Sequence, residues 1–525
     1  MRRLSLVLIL VMTIGIWACG TEESVQNNEG VAEGGYTCQQ CHTSKELLKV
    51  SLAADPTDHK PKAGGGCGGS ISRFPGVSPI YVDPSFLDTT HGLMGCQACH
   101  GGVMPAKDRR EAHSGDFHVK VDQDKVCSEC HEDITKNFLH NIHTKLNGLK
   151  PTDPEFIKRA TVHEMRVSDD AESKKFLAEG LEQGGCAECH RATCGSCHIT
   201  LPEASGGGFP DTGHAFFKQP SDVYNCTACH GSRKGAEYML SGYHVELVKE
   251  SDVVKGLGLK DYKLQRDIHK QKGMTCADCH NENWMHSAGP DISGSLRYND
   301  AKLPTCQDCH VTGQEKTFYA QPMHQIHAKP GSGAPYLECE VCHAQVYPNC
   351  LSCHVTPKGN GSEPPPDYKF YTLKIAKNPL KTKWFKDHFP FMGERYSYDY
   401  SLVRRSSVVP DTFDAYRPNG PTVLGHYTDY PTWKFATPHS IVLDAPQTRD
   451  GCKGCHVSAA GGKLDPNKKV LFLTSDFLKD LYTNGLGKIK NGPGAKKAAA
   501  YLEKSLEANA PILMDDFFKP DDTGK

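Results

Sequence analysis

The pentapeptide Cys-x-x-Cys-His occurs eleven times in this 525-residue chain, beginning at Cys38, Cys96, Cys127, Cys186, Cys194, Cys226, Cys276, Cys306, Cys339, Cys350 and Cys452. Chance would supply roughly 0.05 such matches at this composition. The motifs absorb 22 of the 24 cysteines, so any fold must accommodate eleven dithiol-plus-imidazole units. Three chemistries use units of this kind. Zinc takes four ligands per ion, and eleven triplets do not sort into such sets. A redox dithiol needs no histidine and occurs once per domain. The third is covalent attachment of c-type haem, in which both thiols become thioethers and the histidine is the proximal iron ligand.

On that reading the first five attachment sites are Cys38, Cys41 and His42; Cys96, Cys99 and His100; Cys127, Cys130 and His131; Cys186, Cys189 and His190; and Cys194, Cys197 and His198. The next five are Cys226, Cys229 and His230; Cys276, Cys279 and His280; Cys306, Cys309 and His310; Cys339, Cys342 and His343; and Cys350, Cys353 and His354. The last is Cys452, Cys455 and His456.

The spacing of the motifs repeats. Successive intervals run 58, 31, 59 and 8 residues from Cys38 to Cys194, then 50, 30, 33 and 11 from Cys226 to Cys350. The text repeats too: GYTCQQCHTSK at 35–45 parallels VYNCTACHGSRK at 223–234, NFLHNIHTK at 137–145 parallels QPMHQIHAK at 321–329, and CGSCHIT at 194–200 parallels CLSCHVT at 350–356. A fixed order of this kind marks duplicated structural units. The expected organisation is a first pentahaem module over 38–200, a second over 214–356, and a C-terminal region over 357–525 with the eleventh haem and terminal helices.

A six-coordinate haem iron needs a second axial ligand, and the chain has 27 histidines, 16 of them outside the motifs. The first module offers His59, His91, His113, His140 and His143; the second offers His244, His269, His286, His324 and His327 at corresponding places. Residues three apart share a helix face, so His140 with His143, and His324 with His327, are placed to serve two haems each. His439, thirteen residues before Cys452, is the expected ligand of the eleventh haem. His426 and His388 are the next choices for that ligand; these two, with His118, His163 and His214, otherwise read as surface or propionate-contacting histidines. Tyr396, Tyr398, Arg404, Arg405 and Lys434 read as a solvated face, with an anion pocket as the second reading. Cys67, in GGGCGGS, belongs to no motif.

The N-terminus fits a protein whose haem is attached outside the cytoplasm. Arg2 and Arg3 precede an apolar run from Leu4 to Trp17, too short for a comfortable membrane span and suited to a signal peptide over 1–18. Ile16-Trp17-Ala18-Cys19 resembles a lipoprotein cleavage box, which makes Cys19 the expected lipidation site and 19–37 a flexible tether. Gly20 leans the expected location towards the outer membrane. Loss of Arg2 and Arg3 takes the formal charge from −2 to −4, and each haem adds two propionates. No basic excess suggests nucleic acid.

Hydrophobic residues make up 38% of the chain, beside 50 Gly and 33 Pro. So little apolar material does not build a large side-chain core, so the porphyrins themselves must supply it. The expected fold class is mainly irregular, with short α-helices packed around covalently bound haems and little β-structure.

These motifs, the repeat and the lipoprotein box together resemble the multihaem c-type cytochromes of anaerobic respiratory bacteria, among them outer-membrane lipoproteins of extracellular electron transfer. The resemblance covers about residues 16–456. It implies haem c, eleven copies here, and electron transport between respiratory partners in the periplasm or at the cell surface. Those partners are other c-type cytochromes or a quinol-linked donor, with a porin or an extracellular acceptor beyond. Two other classes stay open: a multihaem oxidoreductase acting on a small nitrogen or sulfur compound at one open haem, and a subunit of a cytochrome filament.

Overall fold

The structure is a computed structural model. It describes residues 35–53, 80–118, 121, 123–138, 143, 192–200, 214–226, 265–286, 304–313, 317, 319–330, 335–345, 373–388, 398–405, 431–445, 447–448, 455, 471–482 and 502–518. Most of the described motifs form single helical turns: Cys38–His42, Cys96–His100, Cys194–His198, Cys276–Cys279, Cys306–His310 and Cys339–His343. One turn suffices to bring two cysteines three apart onto one face. Local sequence starts these turns. Thr37 caps the first with its hydroxyl on the Gln40 amide at 3.1 Å, while Gln40 returns a bond to the Thr37 amide at 2.8 Å. Thr193 and Ser196 exchange the same pair of bonds, and the Asp278 and Asp308 carboxylates accept from the amides of Thr275 and Thr305. These are capping boxes, which satisfy amides that a short helix leaves unpaired.

Apolar burial is distributed very unevenly. Among the described residues before 314, only Leu48, Ala106, Phe138 and Val311 are buried hydrophobic side chains. The remaining core lies in the C-terminal region and in the ninth motif. There a three-stranded antiparallel sheet runs in the order β1 (Lys374–Lys377), β2 (Tyr400–Arg405), β3 (Trp433–Phe435), with Lys374 opposite Val403 and Arg405 opposite Trp433. One face packs Ala376, Val403 and Trp433 against Leu473, Phe477, Leu478 and Ile512 from the C-terminal helices Ser475–Asp480 and Leu502–Asn509 and the turns beside them. The other packs Ile375 and Leu402 against Val341 and Ala344 of the ninth motif, with Cys455 at the edge. Both faces are therefore covered. Arg404, Arg405 and Lys434, together with Tyr398, are buried, which overturns their reading as a solvated face. Lys374 is also buried, its ammonium 4.4 Å from the centre of the Phe477 ring. No helix among the described residues is long and apolar enough to cross a membrane.

Candidate haem ligand sites

Among the described residues six pairs of imidazole rings face one another, and each joins a motif histidine to a histidine from outside the motifs. His42 faces His113 with ring centroids 6.0 Å apart, His100 faces His214 at 6.0 Å, and His131 faces His91 at 6.3 Å. His198 faces His286 at 5.9 Å, His280 faces His439 at 6.2 Å, and His310 faces His269 at 6.0 Å. Two imidazoles bound on opposite sides of one metal ion, through bonds of about 2 Å, have centroids about 6 Å apart. Direct aromatic packing does not hold to one distance. Around the same histidines it spreads from 3.9 Å for His91 on Phe216, through 4.4 Å for His113 on Phe117 and 4.9 Å for Phe86 on His214, to 6.2 Å for Phe138 on His286 and 6.4 Å for His214 on Phe216. The histidine pairs by contrast all fall within 5.9–6.3 Å, a spacing that fits a group held between them.

The electrostatics agree. Burial is the largest influence on each shifted histidine, and for most of them the facing ring comes next. Burial and then His100 push His214 down to about 4, and burial and then His280 do the same to His439. Burial followed by the facing ring lowers His91, His113 and His286, while burial alone lowers His280. His343 of the ninth motif is lowered by burial and then by His324, which identifies its neighbour. All are neutral at pH 7, the state in which an imidazole nitrogen can ligate a metal.

The main chain fixes which nitrogen is available. His42 Nδ1 donates to the Ile80 carbonyl at 2.7 Å, His100 Nδ1 to that of His118 at 2.8 Å, and His198 Nδ1 to that of Phe217 at 2.6 Å. In return the amides of Val82, His118, Phe217 and Val442 donate to the carbonyls of His42, His100, His198 and His343. An extended segment thus clasps each of these motif histidines, holds the ring and commits Nδ1. Nε2 is left to point at the partner ring. The second motif needs glycine for its clasp: at Gly101, φ is 65° and an added Cβ would lie 2.0 Å from the Asp116 carbonyl oxygen. Several non-motif rings are held similarly, His269 by Asp267 at 3.0 Å and His439 by the Thr437 carbonyl at 3.0 Å.

Thiols of different motifs also meet. The ligand atoms of Cys226, Cys276 and Asp222 lie within 4.8 Å of one another, as do those of Cys306, Cys339 and Glu340. The Cys197 thiol is raised to about 12 by burial and then by Cys226, and the Cys342 thiol to about 12 by burial and then by Cys455.

Several expected sites lie outside the described residues: Cys19, Cys186, Cys189, His190, Cys229, His230, Cys350, Cys353, His354, Cys452 and His456, and, among the outer ligands, His59, His140 and His244. His143 is described through its backbone, whose carbonyl accepts from the Ala192 amide at 3.0 Å. His327 bonds the Met323 carbonyl through Nδ1 at 3.1 Å. Three placements differ from the sequence reading. His286, offered to the second module, faces His198 of the first. His214, set aside as a surface histidine, faces His100. His439, expected for the eleventh motif, faces His280 of the seventh. The sequence positions of His214 and His439 held the clue, since each lies twelve or thirteen residues before a motif, at Cys226 and Cys452. His118 does stay at the surface, its Nε2 2.9 Å from the Asp116 carboxylate.

Two curated proteins from strains of Bacteroides fragilis, both named cytochrome c-552, are 28% identical to the chain over 177 residues. The match covers 27% of this chain and 34% of each relative, so the chain spans about a third of their length. No family model matches the chain, and no solved structure matches it significantly.

Proposed function

We propose that the protein is an undecahaem c-type cytochrome that carries electrons along closely packed bis-histidine haems between respiratory redox partners at the cell envelope. The observation that carries this is the set of six imidazole pairs spaced 5.9–6.3 Å apart, each with one ring from an attachment motif. The similarity to proteins named cytochrome c-552 supports haem c and electron transfer. Bound haem supplies a one-electron iron couple. The chain's own residues do the rest. Each facing pair of histidines would hold a haem iron through one motif nitrogen and one from outside the motif, and the scarcity of buried apolar side chains among the described residues before 314 leaves room for the porphyrins. The contacts of Cys226 with Cys276 and of Cys306 with Cys339 set neighbouring attachment points side by side, which shortens the distance between haems. We further assign Cys19 as the lipidated residue of an exported, outer-membrane-anchored protein whose partners are other c-type cytochromes or a quinol-linked donor.

The test is the mass and the low-temperature EPR of the oxidised holoprotein. Eleven covalent haems with low-spin signals alone are expected. A lower haem count, or a high-spin iron in the unmodified protein, would overturn the all-bis-histidine carrier, and a high-spin iron would favour an open catalytic site.

A further inference from the structure

Two segments far apart in the chain, 214–226 and the described residues 439–445, 447–448 and 455, make corresponding contacts. Each begins with a histidine that faces the second motif of a module: His214 faces His100, and His439 faces His280. Three residues later, Phe217 and Val442 donate their amides to the carbonyls of motif histidines, His198 at 2.8 Å and His343 at 2.9 Å. Further along, each segment places one carboxamide on the clasped turn. Asn225 Nδ2 donates to the carbonyls of Ser196 and Thr200 at 2.9 and 3.0 Å. Gln447 Nε2 donates to those of Val341 and Ala344 at 3.1 and 2.6 Å. In both cases one acceptor is the third residue of the motif and the other lies just past its histidine. Each segment then runs into an attachment motif, at Cys226 and at Cys452. A thiol of that motif neighbours the second thiol of the clasped one: Cys226 beside Cys197, and Cys455 beside Cys342.

Shared sequence does not explain this. HAFFKQPSDVYNC and HSIVLDAPQTRDGC have little in common beyond the first histidine, the proline six residues before cysteine, and the cysteine itself. Their common contacts are those of one structural element used twice. Matching the elements also pairs the fifth motif with the ninth, although the text CGSCHIT resembles the tenth. The carbonyl of His143 accepts from Ala192, two residues before Cys194, and that of His327 accepts from Tyr336, three before Cys339, which supports the same pairing.

The geometry points to a third, truncated repeat unit that opens at His439, whose imidazole completes the haem site of the seventh motif. This rests on the haem reading above and extends it. Each unit's second haem takes its outer ligand from the opening segment of the unit that follows. His214 does this for the second motif and His439 for the seventh. The segment before the eleventh motif is then needed to close the second unit, and the eleventh motif follows that segment as the sixth follows 214–225.

The experiment uses the holoprotein with the eleventh attachment removed by Cys452→Ser and Cys455→Ser, ten haems being confirmed by mass. In that background His439→Ala is expected to convert one more iron from low-spin to high-spin, and added imidazole to restore it. An unchanged EPR spectrum would place His439 on the eleventh haem and overturn the assignment. A second arm keeps all eleven attachments and combines His456→Ala with His439→Ala. Two low-spin irons should be lost, because the residues serve different haems; the loss of only one would overturn the proposal. A wild-type protein without covalent haem would remove the haem reading itself, and the mass measurement reports that before any substitution is made.

Discussion

An imidazole kept neutral by its surroundings is ready to bind metal without first releasing a proton. His91, lowered by burial and then by His131, is such a group, and His269 occupies the corresponding place facing His310. His91→Ala and His269→Ala should each leave one five-coordinate, high-spin iron among otherwise low-spin haems, counted by EPR of the oxidised protein. The potential of the altered haem should rise as well, since a ligand that favours ferric iron is lost; potentiometric titration followed by visible absorbance reads this. An unaltered spectrum would sever the link between ring spacing and ligation. The motif histidines were legible in the sequence because covalent chemistry fixes their spacing to the residue. Outer ligands such as His91 and His269 were legible because the repeat keeps them beside haems of their own module, whereas His286 was legible as a ligand but not as the partner of His198 in the other module. His214 and His439 escaped because a ligand is chosen by approach in space, and sequence proximity to Cys452 pointed the wrong way for His439.

Strands β1 to β3 form a partition between the C-terminal helices and the ninth motif. Leu402 is fully buried on the face towards that motif. Leu402→Ala should cost about 2–5 kcal/mol, the usual range for emptying such a site. Urea unfolding followed by circular dichroism would show the midpoint fall. Asp399, just ahead of β2, ties the partition to the segment after His327 through Lys329 at 3.0 Å, and to the turn after β1 through Lys381. Partial burial acts to raise its pKa, but the two ammonium groups outweigh that and hold it below the usual carboxylate range. An acid whose pKa is lower folded than unfolded adds stability above its unfolded value of about 4, and that stability is lost as pH falls through the folded value. Unfolding midpoints should therefore drop below about pH 4, and Lys381→Ala should flatten that acid limb. The sequence concealed this element. Lys374, Arg404, Arg405 and Lys434 make the strands look polar and solvent-facing, whereas sheet neighbours and rings such as Phe477 bury them.

Across the whole molecule, side-chain packing and motif density are segregated. A chain produced without haem attachment should be cleaved rapidly by trypsin throughout the region before residue 314, where Leu48, Ala106, Phe138 and Val311 are the buried apolar side chains among the described residues. Limited proteolysis with mass mapping checks this, and a haem-free chain as resistant as the holoprotein would refute it. The clasped segments bear on timing as well as on geometry. His214 lies 114 residues beyond His100, and His439 lies 159 beyond His280. On the proposed assignment, the second and seventh irons wait half-ligated while those lengths of chain emerge. Maturation then proceeds as a zipper whose closure trails by one unit, and a chain truncated before residue 439 would, after export and haem attachment, keep an open iron able to bind carbon monoxide where the finished protein does not.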